Sequence, residues 1–591
     1  MCFNLIYLPI LSDIIYNYYV RNETFFTRPN TDWQRRYEAL RASFVERLPA
    51  HIVAQRFNYS IQYVRLLRHL FTHGKIDFSE PVPEGKINRR RVDSVIRSKI
   101  RNWRKHRLSS GDITQLLSDE GHELSIRTVE RVLREEGFPK LPRRTRLKIG
   151  MTVKGTHIPQ KSRCIPLATL EGKTMTSTNA GLFLFHPFIA QFNFDKIISN
   201  AGLPGTKMIP AINYLLSFLA FKLMGTERYA HAGDHAFDMT VGPFAGLNAL
   251  PKCTAMSTYS YSLDEVHIMR LQREFVMEAQ KLRLYDGKFV NLDFHTIPHF
   301  GDESVLEKHW AGSRHKTMKG ALTLFAQDAE TKLILYTGAD IMRSETDEQV
   351  QYFVDFWRRV HRGVKSTLVF DSKFTDYSHL SQLNNRGVKF ITLRRRGTRL
   401  IDEVKNITSW NRISIPHPKR KFPHPIVHES YISLRHYEGE IRQIIVRGNG
   451  HEKPAFIITN DFNAPLESVV GEYARRWRVE NGIAEAVKFF NLNALSSPIL
   501  TKVHFDVVMT MIADTLYSMF ATKMRGFEDC NAQQIYRHFI RGKGTMVVKD
   551  NSIRVFFPRR AHNPILRAVP WHRMPMTSVA FPNSKISFKF A

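Results

Sequence analysis

The chain has 591 residues, 43% hydrophobic and 12% aromatic, with 86 Lys and Arg against 55 Asp and Glu and a formal charge of +31. That apolar content excludes a disordered tail protein, and the charge calls for a polyanionic partner. The four cysteines, Cys2, Cys164, Cys253 and Cys530, are too far apart for a zinc-finger spacing, which with the length excludes a small disulfide scaffold. The apolar start lacks a basic residue before Arg21 and a small-residue cleavage site, and Ala211–Met224 is short and contains Lys222. A soluble intracellular protein without a membrane span is therefore expected.

Residues 1–80 predict a first helix-turn-helix domain. Trp33, Tyr37, Leu40, Phe44 and Leu48 recur at helical spacing, and a short helix starts from Pro49. Ser60 caps a third helix that carries Ile61, Val64, Leu67 and Leu70 and stops at Gly74, with Gln62, Tyr63, Arg65 and Arg68 facing outward. Residues 81–140 repeat the plan. A basic amphipathic helix lies within 86–107, and Ser109 or Ser110 caps a helix bearing Ile113, Leu116 and Leu117. After a turn at Gly121, Ser125 caps a helix bearing Ile126, Val129 and Leu133 and presenting Arg127, Thr128, Arg131 and Arg134. A B-DNA major groove admits one α-helix, whose early residues reach base edges. A generic three-helix bundle has the same spacing. Two such units beside basic stretches favour double-stranded DNA, contacted by Gln62, Arg65, Arg68, Arg127, Thr128, Arg131 and Arg134. Residues 141–180, rich in Pro, Lys and Arg, read as a basic linker.

Residues 181–285 read as a helical support region without a chemical signature. From Gly287 strand patterns take over in the order β-β-β-α-β-α-β. Asp293 falls on the first strand and Asp371 at the end of the fourth, where strand-end carboxylates of one sheet converge. Each alone reads equally well as a turn former or cap. Together they suggest a site for two hard divalent cations roughly 4 Å apart, suited to phosphodiester chemistry. His295 and His299 flank the first acid, and packing or hydrogen bonding is the expected role for imidazoles beside hard cations.

A further strand, PAFIITND, precedes one long helix, LESVVGEYARRWRVENGIAEAVKFF. Tyr473, Trp477, Glu480 and Ala484 share its core-facing stripe, and Arg476 lies one turn before Glu480. A carboxylate on that stripe needs a positive partner, either a metal pair or Arg476.

The strand acid in NLDFHTIPH, the second acid in LVFDSKFT and the helix YARRWRVEN together resemble DDE transposases of bacterial insertion sequences. The resemblance is to the class with a β-rich insertion before the last acid. That class carries Tyr, Arg, Glu and Lys on the last helix, matched here by Tyr473, Arg476 and Glu480. The Lys position holds Val487, and Lys488 comes one residue late, rotated by about 100° from the Glu480 face.

After the all-α N-terminal units of a multidomain chain, the resemblance, which covers about residues 180–570, implies a ribonuclease H-like α/β core of mixed sheet over 286–396 and 454–525. The β-rich insertion would be 397–453, clamping DNA; independently of the resemblance, the pattern of 526–591 reads as a C-terminal helix and hairpin region, turning near Asp550 and Asn551, with a basic, loosely ordered end. The resemblance implies Asp293, Asp371 and Glu480 as catalytic and metal-binding residues for two Mg²⁺ or Mn²⁺. Tyr473, Arg476 and Lys488 are carried over as DNA contacts. It also implies DNA transposition by cleavage at element ends and strand transfer, a homodimer or higher oligomer on DNA, and a cytoplasmic, nucleoid-associated location. An inactive DNA-binding regulator descended from a transposase and a metal-dependent nuclease of the same fold are the alternatives.

Overall fold

A computed structural model describes residues 32–76, 92–105, 108–138, 141, 162–235, 238–300, 306–361, 365–415, 422–450, 452–494 and 499–591. The apolar N-terminal stretch, residues 142–161 of the 141–180 segment, and residues 86–91 and 106–107 of the basic run lie outside them. The chain divides into two compact units, 1–94 and 95–591.

In the first unit, α1 (Asp32–Phe44), α2 (Ala50–Phe57) and α3 (Ile61–Thr72) follow the predicted order. Ala39, Ala42, Val53, Ala54, Phe57 and Val64 form the core. Asn58 ends α2 in the left-handed region at φ 54°, which its short polar side chain tolerates. The Ser60 hydroxyl accepts the Tyr63 amide at 3.1 Å, as a Ser cap should. Gln62 and Arg65 are exposed. Arg68 is half-buried, and its Nη2 donates to the Leu48 carbonyl at 2.6 Å, so it ties α3 to the loop before α2.

The second unit begins with α4 (Ser94–Lys105), α5 (Ser110–Asp119) and α6 (Ile126–Glu135), packed on Ile100, Ile113, Leu117, Val129, Val132 and Leu133. Ser109 is the α5 cap, in a reciprocal box with Asp112. Ile126 is half-exposed, and Val132 takes the core position expected of it. Arg127 and Arg134 are exposed; Thr128 and Arg131 are half-buried. The positive charge of α4 is partly matched locally, because Arg97 reaches Glu135 and Glu136 and Lys99 reaches Glu120 at 2.6 Å. This bundle belongs to the same compact unit as everything that follows it in the chain, and Arg101 Nη1 lies 3.5 Å from Met342 Sδ.

Residues 162–180 are folded rather than a linker. They include β1 (Thr174–Ser177), which pairs antiparallel with β12 (Gly544–Lys549). The helical region contains α7 (Phe194–Ala201), the almost fully buried α8 (Ala211–Leu223) and α9 (Glu265–Lys281).

A ten-stranded mixed sheet follows. It comprises β2 (Phe289–Pro298), β3 (Lys308–Ala311), β4 (Lys316–Asp328), β5 (Ile334–Ile341), β6 (Thr367–Phe370), β7 (Lys389–Leu393), β8 (Asn411–Arg412), β9 (Ile426–Ser433), β10 (Glu440–Arg447) and β11 (Ala455–Thr459). Strands β2, β6 and β7 run parallel. Helices α10 (Gln349–Val360) and α11 (Tyr377–Asn385) join the parallel strands. Strands β10, β9 and β8 continue the same sheet beyond β11, so the insertion extends the core sheet.

The expected single long helix is two, α12 (Leu466–Arg475) and α13 (Trp477–Phe489), broken at Arg476. The apolar α14 (Leu500–Ala521) packs beside β5, where His504 Nε2 donates to the Thr337 carbonyl at 2.9 Å. Among the described residues no helix is long and apolar enough to cross a membrane. The C-terminal residues are ordered: β13 (Ser552–Phe557) forms a hairpin with β12 through Asp550 and Asn551, and β14 (Lys585–Phe590) runs parallel to β13.

Candidate active site

The sheet register sets the first two acids side by side. Leu292 on β2 pairs with Phe370 on β6, so the next rung carries Asp293 and Asp371. Asp371 leaves the sheet into a turn at Ser372–Phe374, and its Oδ1 accepts the Ser372 amide at 2.6 Å. The Phe374 ring stacks on Phe294 with centroids 4.1 Å apart, pinning that turn to the strand that carries Asp293.

Helices α12 and α13 cover this face of the sheet. Val469 and Val470 pack with Val369, Ile391 and Ile457, the alternate positions that share the face with Asp293. Gly482 lets α13 approach β4 closely, since a Cβ there would lie 2.4 Å from Gln327 Nε2. The break at Arg476 turns its guanidinium into the site. Nη1 donates to Asp293 Oδ2 at 3.3 Å and Nη2 to Glu480 Oε1 at 2.9 Å. The Tyr473 ring centroid lies 5.9 Å from the Arg476 guanidinium carbon. Glu480 is 42% exposed at its side chain, so it stands at the rim and not on a core stripe.

Electrostatics follow from this packing. Asp293 is 8% exposed. Burial pushes its carboxyl up to about 6, with Glu480 adding to the rise and Arg476 and Lys373 opposing it. Burial opposes the charge of Arg476, but Asp293, Tyr473, Asp371 and Glu480 together hold it above its ordinary value. Burial also pushes Tyr473 up to about 12. When ionised, three carboxylates share one guanidinium here, and the excess negative charge is carried by oxygen donors, which suit hard divalent cations. Among the described residues no three His, Cys, Asp or Glu are gathered as a ligand cluster; Arg476 stands between the acids.

Of the residues expected at the site, Asp293, Glu480 and Arg476 are joined by ion pairs, and the Asp371 charge is felt by both Arg476 and Tyr473. Lys488 is exposed in the last turn of α13, and Val487 packs against the core. His295 Nε2 is bonded to Asn493 Oδ1 at 2.8 Å, the hydrogen-bonding role expected of it. Two neighbours, Lys373 and Asn291, went unread, whereas the run Arg394–Arg396 at the end of β7 read either as phosphate contacts or as a solvated charge run. Lys373 acts on Asp293, and its place two residues after Asp371 was the available signal. Arg395 Nε donates to the Ser372 carbonyl at 3.4 Å, which gives one member of the 394–396 Arg run a role beside the second acid. Asn291 is fully buried two residues before Asp293 on the same face, its amide without a hydrogen-bond partner among the described residues.

Residues 279–516 match the family model described as the transposase DDE domain. That match, over less than half of the chain, supports the resemblance to DDE transposases carried by the acid-bearing segments, and with it a transposase-type function. No curated protein shows significant similarity to the chain.

Proposed function

We propose that this protein is a DNA transposase that recognises the ends of a mobile element, cuts there, and joins the freed 3′-hydroxyls to target DNA. The observation that carries the reading is the convergence of Asp293 and Glu480 on Arg476 beside Asp371, on one face of a parallel sheet segment. That layout suits a ribonuclease H-like core. In this reading Asp293, Asp371 and Glu480 hold divalent cations, two Mg²⁺ or Mn²⁺. Bound there, such ions activate the attacking oxygen and stabilise the leaving one. The chain's own part is to place three carboxylates on a rigid sheet and helix and to keep Asp293 shielded from water. Arg476 balances their charge, and Lys373 and Arg395 offer cations to the DNA backbone beside Asp371.

The two N-terminal bundles serve as helix-turn-helix readers of the ends. In the first, Gln62 and Arg65 are free to reach DNA and Arg68 has a structural bond instead. In the second, Arg127 and Arg134 are the exposed candidates, with Thr128 and Arg131 beside them. A homodimer on DNA would engage both ends. The test is incubation of the purified protein with labelled DNA carrying the ends of its native locus, in Mg²⁺ or Mn²⁺, beside Asp293→Ala and Glu480→Ala. Cleaved and joined products from the wild type alone support transposition. Cutting without joining supports the nuclease, and tight binding without any product supports the inactive regulator.

A further inference from the structure

Strand β2 continues past Asp293 to Pro298, and β4 returns beside it. Beyond the end of β2, β3 and the start of β4 form a hairpin closed by Gly312–Arg314. The register fixes which way it faces. Asp293 pairs with Phe325, so alternate residues Thr323, Ala321, Lys319 and Thr317 of β4 share its face. Lys319 pairs with Lys308 and Thr317 with Trp310. Lys308 and Trp310 therefore stand on the same face of the sheet as the candidate catalytic acid.

Trp310 is 56% exposed and Phe300 55%, a large apolar area for a surface this basic. The Arg314 guanidinium lies 5.6 Å from the Phe300 ring centroid, and Arg314, His315 and Lys316 are exposed at the tip. Neither packing nor folding calls for an uncovered indole between lysines. Charge alone would bind a duplex through its phosphates, but the π-face of a base is offered only where stacking is interrupted.

We propose that this hairpin is a platform for unpaired DNA at the cut end: Trp310 stacks on an exposed base while Lys308 and Lys319 take the adjacent phosphates. The proposal rests on the DNA-cleaving reading above. It assigns to the hairpin DNA that continues along the Asp293 face of the sheet beyond the acids.

The test compares the full chain with Trp310→Ala, Trp310→Phe and Lys308→Gln. Two DNAs carry the native-locus end, one blunt and one with a short unpaired tail holding 2-aminopurine. Base–aromatic stacking of about 1–3 kcal/mol predicts that the wild type prefers the tailed DNA by about 5- to 150-fold and quenches the 2-aminopurine. Trp310→Ala should lose both the preference and the quenching while binding the blunt DNA as before, and Trp310→Phe should retain part of each. Lys308→Gln should flatten the salt dependence on tailed DNA. Trp310 is a surface residue, so melting curves of the variants should match the wild type. Equal preference and equal quenching in Trp310→Ala would overturn the proposal. If the wild type cuts the ends and Trp310→Ala behaves identically, the platform falls and the cleavage reading stands. If the wild type stacks the tail but never cuts, the platform stands and the cleavage reading falls. A wild type that binds neither DNA removes both.

Discussion

At the scale of single residues, Asp293 is where the proposed chemistry meets the fold most clearly. A buried carboxyl held near 6, against an ordinary 3.8, is an acid whose ionised form the fold opposes unless a cation arrives. The sign for the metal-free protein follows: Asp293 contributes stability below pH about 4 that is lost as pH rises through about 6. In thermal melts, wild type should lose ground to Asp293→Asn over that window, and added Mn²⁺ should reverse the loss only in the wild type. Cleavage should fall below pH about 6, because proton and cation compete for the same oxygens. A second contrast lies in the first bundle. Arg68→Ala should cost about 1–3 kcal/mol of stability by removing a charged hydrogen bond to Leu48, read as a lower melting temperature. Arg65→Ala should leave melting unchanged and weaken DNA binding. Spacing on a helical wheel put both arginines outward, and it could not reveal that Arg68 finds a carbonyl twenty positions away in the chain.

At the scale of elements, α13 is placed from its far end. Because the helix breaks at Arg476, α12 does not fix the direction of α13, and the α13 N-terminus has no side-chain cap. Its C-terminus is gripped instead. Lys222 of α8 donates to the Phe490 carbonyl at 3.3 Å and pairs with Asp506 of α14 at 2.5 Å, while Tyr229 bonds the same carboxylate. Asn491 Nδ2 donates to the Gly225 carbonyl at 3.0 Å. Removing one partner of a buried pair leaves the other charge stranded, at a cost of about 3–5 kcal/mol, whereas an apolar pair of similar volume restores packing. Lys222→Met should therefore melt well below the wild type, and Lys222→Met with Asp506→Leu should recover most of the difference. Helical patterning over 181–285 made α8 legible as a helix too short to span a membrane. It could not show that Lys222, which looked only like a reason to doubt a membrane span, anchors the helix that carries Glu480. The same limit hid the break at Arg476, since no Pro or Gly marks it. The strand order from Gly287 to β7 was legible because alternation and turn residues are local signals, with only the short β3 missed.

At the scale of the whole molecule, the two compact units make different demands on the sequence. Caps and apolar spacing located all six N-terminal helices, because each helix declares its own ends. The pairing of β1 with β12, and the extension of the core sheet by β8–β10, join segments remote in the chain, and local pattern carries no such information. The final strand β14 was missed for the same reason: its partner β13 supplies the order that a basic composition seemed to deny. A chain of residues 95–591 should fold and melt like the corresponding part of the intact protein, since the first unit has its own core. It should keep salt-sensitive DNA binding but show a weaker preference for the native ends, since only the second bundle remains to read them, measured by competition between specific and unrelated duplexes. The central claim is that Asp293, Asp371 and Glu480 form one cation site, and calorimetric titration of Mn²⁺ into the protein bound to native-end DNA tests it most directly. The account predicts saturable binding in the wild type and in Lys488→Ala, and its loss in Asp293→Asn, Asp371→Asn and Glu480→Gln. Undiminished Mn²⁺ binding in those three variants would contradict it.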